Sequence, residues 1–75
     1  MYEVDIIFDG NTNLKMRTVH NKNFIVLIED VEKFIKKHEL HKPVVLCARF
    51  FLDNQIIDIK QKIIETLKAR RNFGQ

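Results

Sequence analysis

The chain has 75 residues, 45% hydrophobic and 31% charged, with one cysteine and a formal net charge of +3. A chain of this length makes a single domain (1–75) near the lower end of what folds without a disulfide or a structural metal, and leaves no room for a cleft between lobes. Lone Cys47 excludes an internal disulfide, the composition excludes long disordered segments, and no apolar run nears the roughly 20 residues needed to cross a bilayer.

The N-terminal MYEVDIIFDG has neither the basic nor the apolar region of a signal peptide, so a soluble, cytoplasmic protein is expected. The Lys/Ile/Asn/Phe-heavy composition is compatible with an AT-rich bacterial or viral genome. Charge is uneven along the chain. Residues 1–32 hold three bases and six acids (3 − 6 = −3), and residues 33–75 hold ten bases and four acids (10 − 4 = +6). Such asymmetry is compatible with an anionic partner, and equally with solubility and favourable helix ends.

YEVDIIF (2–8) and LKMRTVH (14–20) alternate with the two-residue period of half-buried strands around the polar DGNTN, which predicts a hairpin. A register with Phe8 opposite Leu14 sets Ile6 against Met16, Val4 against Thr18 and Tyr2 against His20 on one face. The other face then carries Asp5 against Arg17, Ile7 against Lys15 and Glu3 against Val19. FIVLI (24–28) reads either as a short third strand or as the start of a helix capped by Asn23. From Ile28 the period is helical: Ile28, Val31, Phe34, Ile35 and His38 share one stripe, with acids early and lysines late, and Pro43 predicts an end near Leu40.

VVLCARFFL (44–52) reads as a strand, with Val44, Leu46, Ala48, Phe50 and Leu52 facing the core and Val45, Cys47, Arg49 and Phe51 facing away. A second helix is expected from an Asp53 cap, with Ile56, Ile59, Ile63 and Leu67 inward, flanked by Ile57 and Ile64, and a stop at Asn72 or Gly74. The order β-β-(β)-α-β-α predicts a small α+β sandwich: a β-hairpin plus one or two further strands, in a sheet covered on one face by two helices.

Arg49 inside the most apolar stretch raises the question of what it touches. Next to the first strand it would reach Asp5 or Glu3 while its methylenes cover Cys47 and Phe51. Arg49, Phe51, Val45, Cys47, Ile7 and Val19 would then form an apolar strip with one cation on a sheet face that two helices on the other side cannot cover. That is the composition of a protein interface, with a protein partner or a second copy as occupant and a homodimer as the simplest case. The alternative partner is nucleic acid, held electrostatically and with little sequence preference by Lys33, Lys36, Lys37, Lys42, Lys60, Lys68, Arg70 and Arg71 on and beside the two helices.

Enzymatic chemistry finds little to stand on. His38, His41, His20 and Cys47 lack the spacing of a zinc module, so no metal is expected. DGNTN is too short for a calcium loop, and two glycines 64 residues apart make no phosphate cradle. Cys47 amid apolar neighbours reads as a small hydrophobe, not as a nucleophile. The sequence therefore predicts a non-enzymatic binding protein, of accessory, regulatory or inhibitory type, with no cofactor, no small-molecule substrate and no membrane attachment.

Overall fold

The computed structural model describes residues 1–9, 13–37 and 44–73. Along them run β1 (Tyr2–Asp9), β2 (Leu14–Asn21), α1 (Phe24–Lys37), β3 (Val44–Leu52), β4 (Gln55–Asp58) and α2 (Lys60–Phe73). The strands form one antiparallel sheet in the order β2-β1-β3-β4, and both helices pack on the same face of it. This is the expected small α+β sandwich. Because β2 and β3 both run antiparallel to β1, they are parallel to each other, and α1 supplies the long crossover that parallel strands require.

The core lies between sheet and helices. Val4 and Ile6 of β1, Ala48 of β3, Leu27, Ile28 and Val31 of α1 and Ile63 of α2 are buried, ringed by Tyr2, Val19, Phe24, Phe34, Ile35, Val45, Ile59 and Leu67. The α1 contribution follows the three- and four-residue spacing of a helical stripe. FIVLI is the helix start: the Asn23 side-chain oxygen accepts the Val26 N–H at 3.1 Å, and the Asn23 carbonyl accepts the Leu27 N–H at 3.0 Å. Both helices run in the same direction, since Lys62 lies 4.9 Å from the Phe24 ring centroid near their beginnings and Arg70 meets Glu32 at 2.9 Å near their ends.

Three sequence expectations are corrected. Asp53 does not cap a helix; it adopts a left-handed φ of 51° in a two-residue turn with Asn54, and Leu52 pairs with Gln55 across it. A short aspartate tolerates that conformation, and the following Gln-Ile-Ile-Asp continues as β4. Ile56 and Ile57 are therefore strand residues, while Ile59, Ile63 and Leu67 keep their inward role. The helix begins two residues after Asp58, whose carboxylate accepts the Lys60 N–H at 2.9 Å. It runs through Asn72 to Phe73, so Asn72 is no stop. The proposed helix end near Leu40, His38, His41 and Gly74 lie outside the described residues.

Second, the β1–β2 register is shifted by one residue, with Val4 opposite Val19, Asp5 opposite Thr18 and Ile7 opposite Met16. A one-residue slip turns every β2 side chain to the other face. The observed register sends Val19 into the core and brings the Thr18 hydroxyl to the Asp5 carboxylate at 2.6 Å. On the helix side Arg17 lies over the Phe34 ring, 5.6 Å from its centroid, so its long stem serves where a shorter polar residue would not.

Third, the β1–β3 register jumps between Asp5, opposite Cys47, and Ile6, opposite Val45, which leaves Leu46 as the extra residue of a bulge. The bulge turns Val45 toward the helices and Val44 away from them, the reverse of simple alternation.

Candidate functional site

The face of the sheet turned away from the helices is built in rows, because residues opposite one another on antiparallel strands share a face. One row is Met16–Ile7–Val44, and the next is Thr18–Asp5–Cys47. Then come His20–Glu3–Arg49–Asp58, spanning all four strands, and finally Phe51–Ile56, with the Phe51 N–H bonded to the Met1 carbonyl at 2.9 Å. Apolar rows thus flank a polar band. Several of their members stand open to solvent: Met16 is 59%, Val44 57% and Ile56 69% exposed, with Leu14 beyond the first row at 68%.

The band is organised around Asp5, the one buried charged residue among those described. Its Oδ1 accepts the Thr18 hydroxyl, and its Oδ2 accepts both the Cys47 thiol at 3.0 Å and an Arg49 N–H at 3.1 Å. The other end of the Arg49 guanidinium bonds to Glu3, its Nη1 also reaches Cys47 Sγ at 3.1 Å, and its central carbon lies 6.0 Å from the Phe51 ring centroid. Arg49 thus belongs to the apolar stretch because β3 lies beside β1, where its fork spans two carboxylates one strand away.

The electrostatics are mutual. Hydrogen bonds from Thr18 and Cys47, with Arg49 beside them, hold the Asp5 carboxyl below the usual carboxylate range. The same Asp5 contact, together with burial, pushes the Cys47 thiol above its ordinary range, and Asp5 and Glu3 secure the Arg49 charge further. A thiol that donates to a carboxylate is a poor nucleophile. What this arrangement does is hold side chains in fixed positions on an exposed surface.

Of the six predicted interface residues, four share this face: Ile7, Cys47, Arg49 and Phe51. Val19 and Val45 do not; the register and the bulge place them against the core. Met16, Val44, Thr18, His20, Ile56 and Asp58 belong to the face and were missed. The Thr18–Asp5 complementarity and the Asp-Asn turn signal at 53–54 were the cues for β2 and β4.

The basic residues divide differently. Lys33, Lys36, Lys60, Lys68 and Arg70 are exposed on the helices; the side chains of Lys37 and Arg71, and Lys42 altogether, lie outside the described set. Parallel helices bring Lys33 and Lys36 to the same end as Lys68 and Arg70, while Lys60 stands at the opposite end of α2. The shifted register adds Arg17 beside Phe34, in a shallow groove that also includes Lys33. Arg70 is engaged by Glu32.

On the helix side a half-open cavity of about 270 Å³ is lined by Ile6, Val31, Ile35, Val45 and Leu67 of the core and its border, and also by Glu32, Lys36 and Val44, the first residue of β3. Among the described residues no group of three or more His, Cys, Asp or Glu is placed to hold a metal ion, and no helix is long and apolar enough to cross a membrane. No protein-family model matches the chain, and neither does any curated protein or solved structure.

Proposed function

We propose that the chain is a small non-enzymatic protein-binding module, of accessory, regulatory or inhibitory type, that acts through the uncovered sheet face. The observation that carries this reading is the exposure of Leu14, Met16, Val44 and Ile56 on one side of a sheet whose other side alone is covered by helices. Leu14, Met16 and Val44 on one side of the polar band and Ile56 on the other are exposed apolar side chains of the kind that mark contact with another macromolecule. Between the apolar rows, Arg49 is locked by Glu3 and Asp5, which lowers the entropy lost when a partner immobilises the surface.

Met16→Glu and Ile56→Glu test it. Both side chains are exposed, so the variants should keep wild-type circular dichroism, and each should lose capture of the partners that wild-type protein retains in quantitative affinity purification. Capture that survives both substitutions and disappears with Lys33→Glu and Lys36→Glu would refute the open face and favour the other surface.

That other surface supports a second reading, electrostatic binding to DNA or RNA. Parallel helices and the β2 register gather Arg17, Lys33, Lys36 and Lys68 near one end of the molecule. Binding through such cations is sequence-tolerant and falls steeply with salt. Anisotropy titrations with unrelated duplexes should then show weak affinity that collapses between about 50 and about 200 mM salt; equal affinity at both salts would rule this reading out.

A further inference from the structure

The charged row of the open face is its own complement. Read across the sheet it runs His20, Glu3, Arg49, Asp58, one residue from each of β2, β1, β3 and β4. A two-fold axis parallel to the strands and midway between β1 and β3 reverses that order in a second copy. Glu3 then faces Arg49 of the second copy, Arg49 faces its Glu3, and His20 faces its Asp58. The same operation sets Ile7 against Val44 and Phe51 against the Met1 end of β1 in the second copy, while Met16 and Ile56, on the outer strands, fall outside these facing pairs.

The other in-plane two-fold axis, perpendicular to the strands, would set Glu3 against Asp5 of the second copy and separate each arginine from the opposite acids. Like charges brought together cost affinity. A closed two-fold contact needs a patch whose residue i meets j while j meets i, and the first axis meets that requirement.

We infer that the occupant of the open face is a second copy of this chain, packed face to face about a two-fold axis along the strands, with reciprocal Glu3–Arg49 pairs beside the axis. This rests on the open-face reading above and names its partner. Three strands about 4.8 Å apart and about eight residues long at about 3.4 Å each, with the four residues of β4, give a face of about 450 Å², hence at most about 900 Å² buried in total, in the range of weak, transient interfaces.

Sheets that pack face to face cross at about 30°, so contacts next to the axis align best. Glu3–Arg49 is such a contact, and His20–Asp58 is peripheral. Glu3, Asp5 and Asp58 outnumber Arg49, so burying the band opposes association, and the Ile7–Val44 contacts and those of Phe51 with the Met1 end drive it; the band fixes orientation. The dimer is accordingly reversible.

Sedimentation equilibrium from about 1 µM to about 1 mM should show wild-type protein passing from monomer to dimer, about the range in which a marginal interface titrates. Glu3→Arg alone and Arg49→Glu alone each set like charges across the axis and should be monomeric. Mixed in equal amounts they should form a heterodimer, since the arginines of the first variant then face the glutamates of the second. Val44→Glu, which leaves the ion pairs intact and sets a charge against Ile7 of the second copy, should also be monomeric.

Wild-type protein that stays monomeric throughout overturns the inference, as does a Val44→Glu variant that dimerises normally. Folded Glu3→Arg and Arg49→Glu chains that fail to combine overturn the axis. The open-face reading is judged separately. A monomeric wild type whose partner capture is lost in Met16→Glu and Ile56→Glu refutes only the second copy, and capture indifferent to both substitutions refutes the face as well.

Discussion

The two faces of this sheet are made by the same strands and obey opposite rules. On the helix side, Val4, Ile6 and Ala48 are sealed under α1 and α2 with no charged group among the buried residues. One residue along, Glu3, Asp5 and Arg49 turn outward into a hydrogen-bonded band, with exposed Met16, Val44 and Ile56 around it. Burial of apolar area drives the first face. The second leaves that area in water and uses its polar groups to fix one another. The apolar side chains of that surface give the isolated fold little stability.

The contrast is tested first where the effect is largest. Ile63→Ala and Leu27→Ala remove buried side chains and should each cost about 2–5 kcal/mol. At about 0.05–0.15 kcal/mol per residue, that is much of the stability a chain this short has. Ile56→Ala, an isoleucine lost from the other face, should change stability by less than about 0.5 kcal/mol. Urea unfolding of dilute protein compares them directly. An Ile56 cost equal to that of Ile63 would mean that the open face is covered within the monomer.

Next in size is the centre of the band. Arg49→Met keeps much of the aliphatic stem and deletes the donors to Glu3 and Asp5; the Asp5 carboxylate, in a residue 7% exposed, is left without its cation. A loss of about 1–3 kcal/mol is expected from stranding a buried acceptor. If the loss falls below that, the pairing is a surface ion pair with no structural consequence.

Much of this arrangement was legible in the sequence. The hairpin, the α1 stripe, the β3 strand and the reach of Arg49 toward Glu3 and Asp5 follow from periodicity and adjacency, which act locally. The errors arose where one residue of register decides a whole strand. In LKMRTVH the more apolar set, Leu14 and Met16, faces away from the helices and Lys15, Arg17 and Val19 face them, so the register follows Thr18 meeting Asp5 and Val19 meeting Val4, contacts that exist only in three dimensions. The bulge at Leu46 is likewise invisible to a period of two. Ile56 and Ile57 fit a helical stripe as well as a strand; the left-handed turn at Asp53 settles them as β4.

A smaller effect appears with pH. The folded state holds the Asp5 carboxyl below its ordinary value of about 4, so the unfolded chain takes up that proton first as pH falls. The associated stability is present above about pH 4 and is lost as pH falls through the lower folded value. Thr18→Val removes the largest cause of the shift, so the Asp5 carboxyl should titrate at higher pH in that variant, read by NMR, and the acid-side loss of stability should shrink. An unchanged Asp5 titration would show that the 2.6 Å hydrogen bond does not hold the charge.

The smallest effect belongs to Cys47, and its sign is opposite. Donation to Asp5, with partial burial, raises its thiol above the ordinary range near about 8.5, so the folded state keeps a proton that the unfolded chain gives up. The stability this contributes is complete below about pH 8.5 and is lost as pH rises through the folded value. Cys47→Ala should therefore stay folded, cost about 1 kcal/mol at neutral pH for the lost sulfur, and lose less stability than wild type between about pH 8 and about pH 10. In the native wild type, a thiol reagent at neutral pH should label Cys47 more slowly than in urea, because the thiolate is the reacting species and Asp5 disfavours it. Labelling as fast as in the unfolded chain would mean that the Asp5–Cys47 contact does not persist in solution. The polar band would then be the Glu3–Arg49–Asp5 group alone.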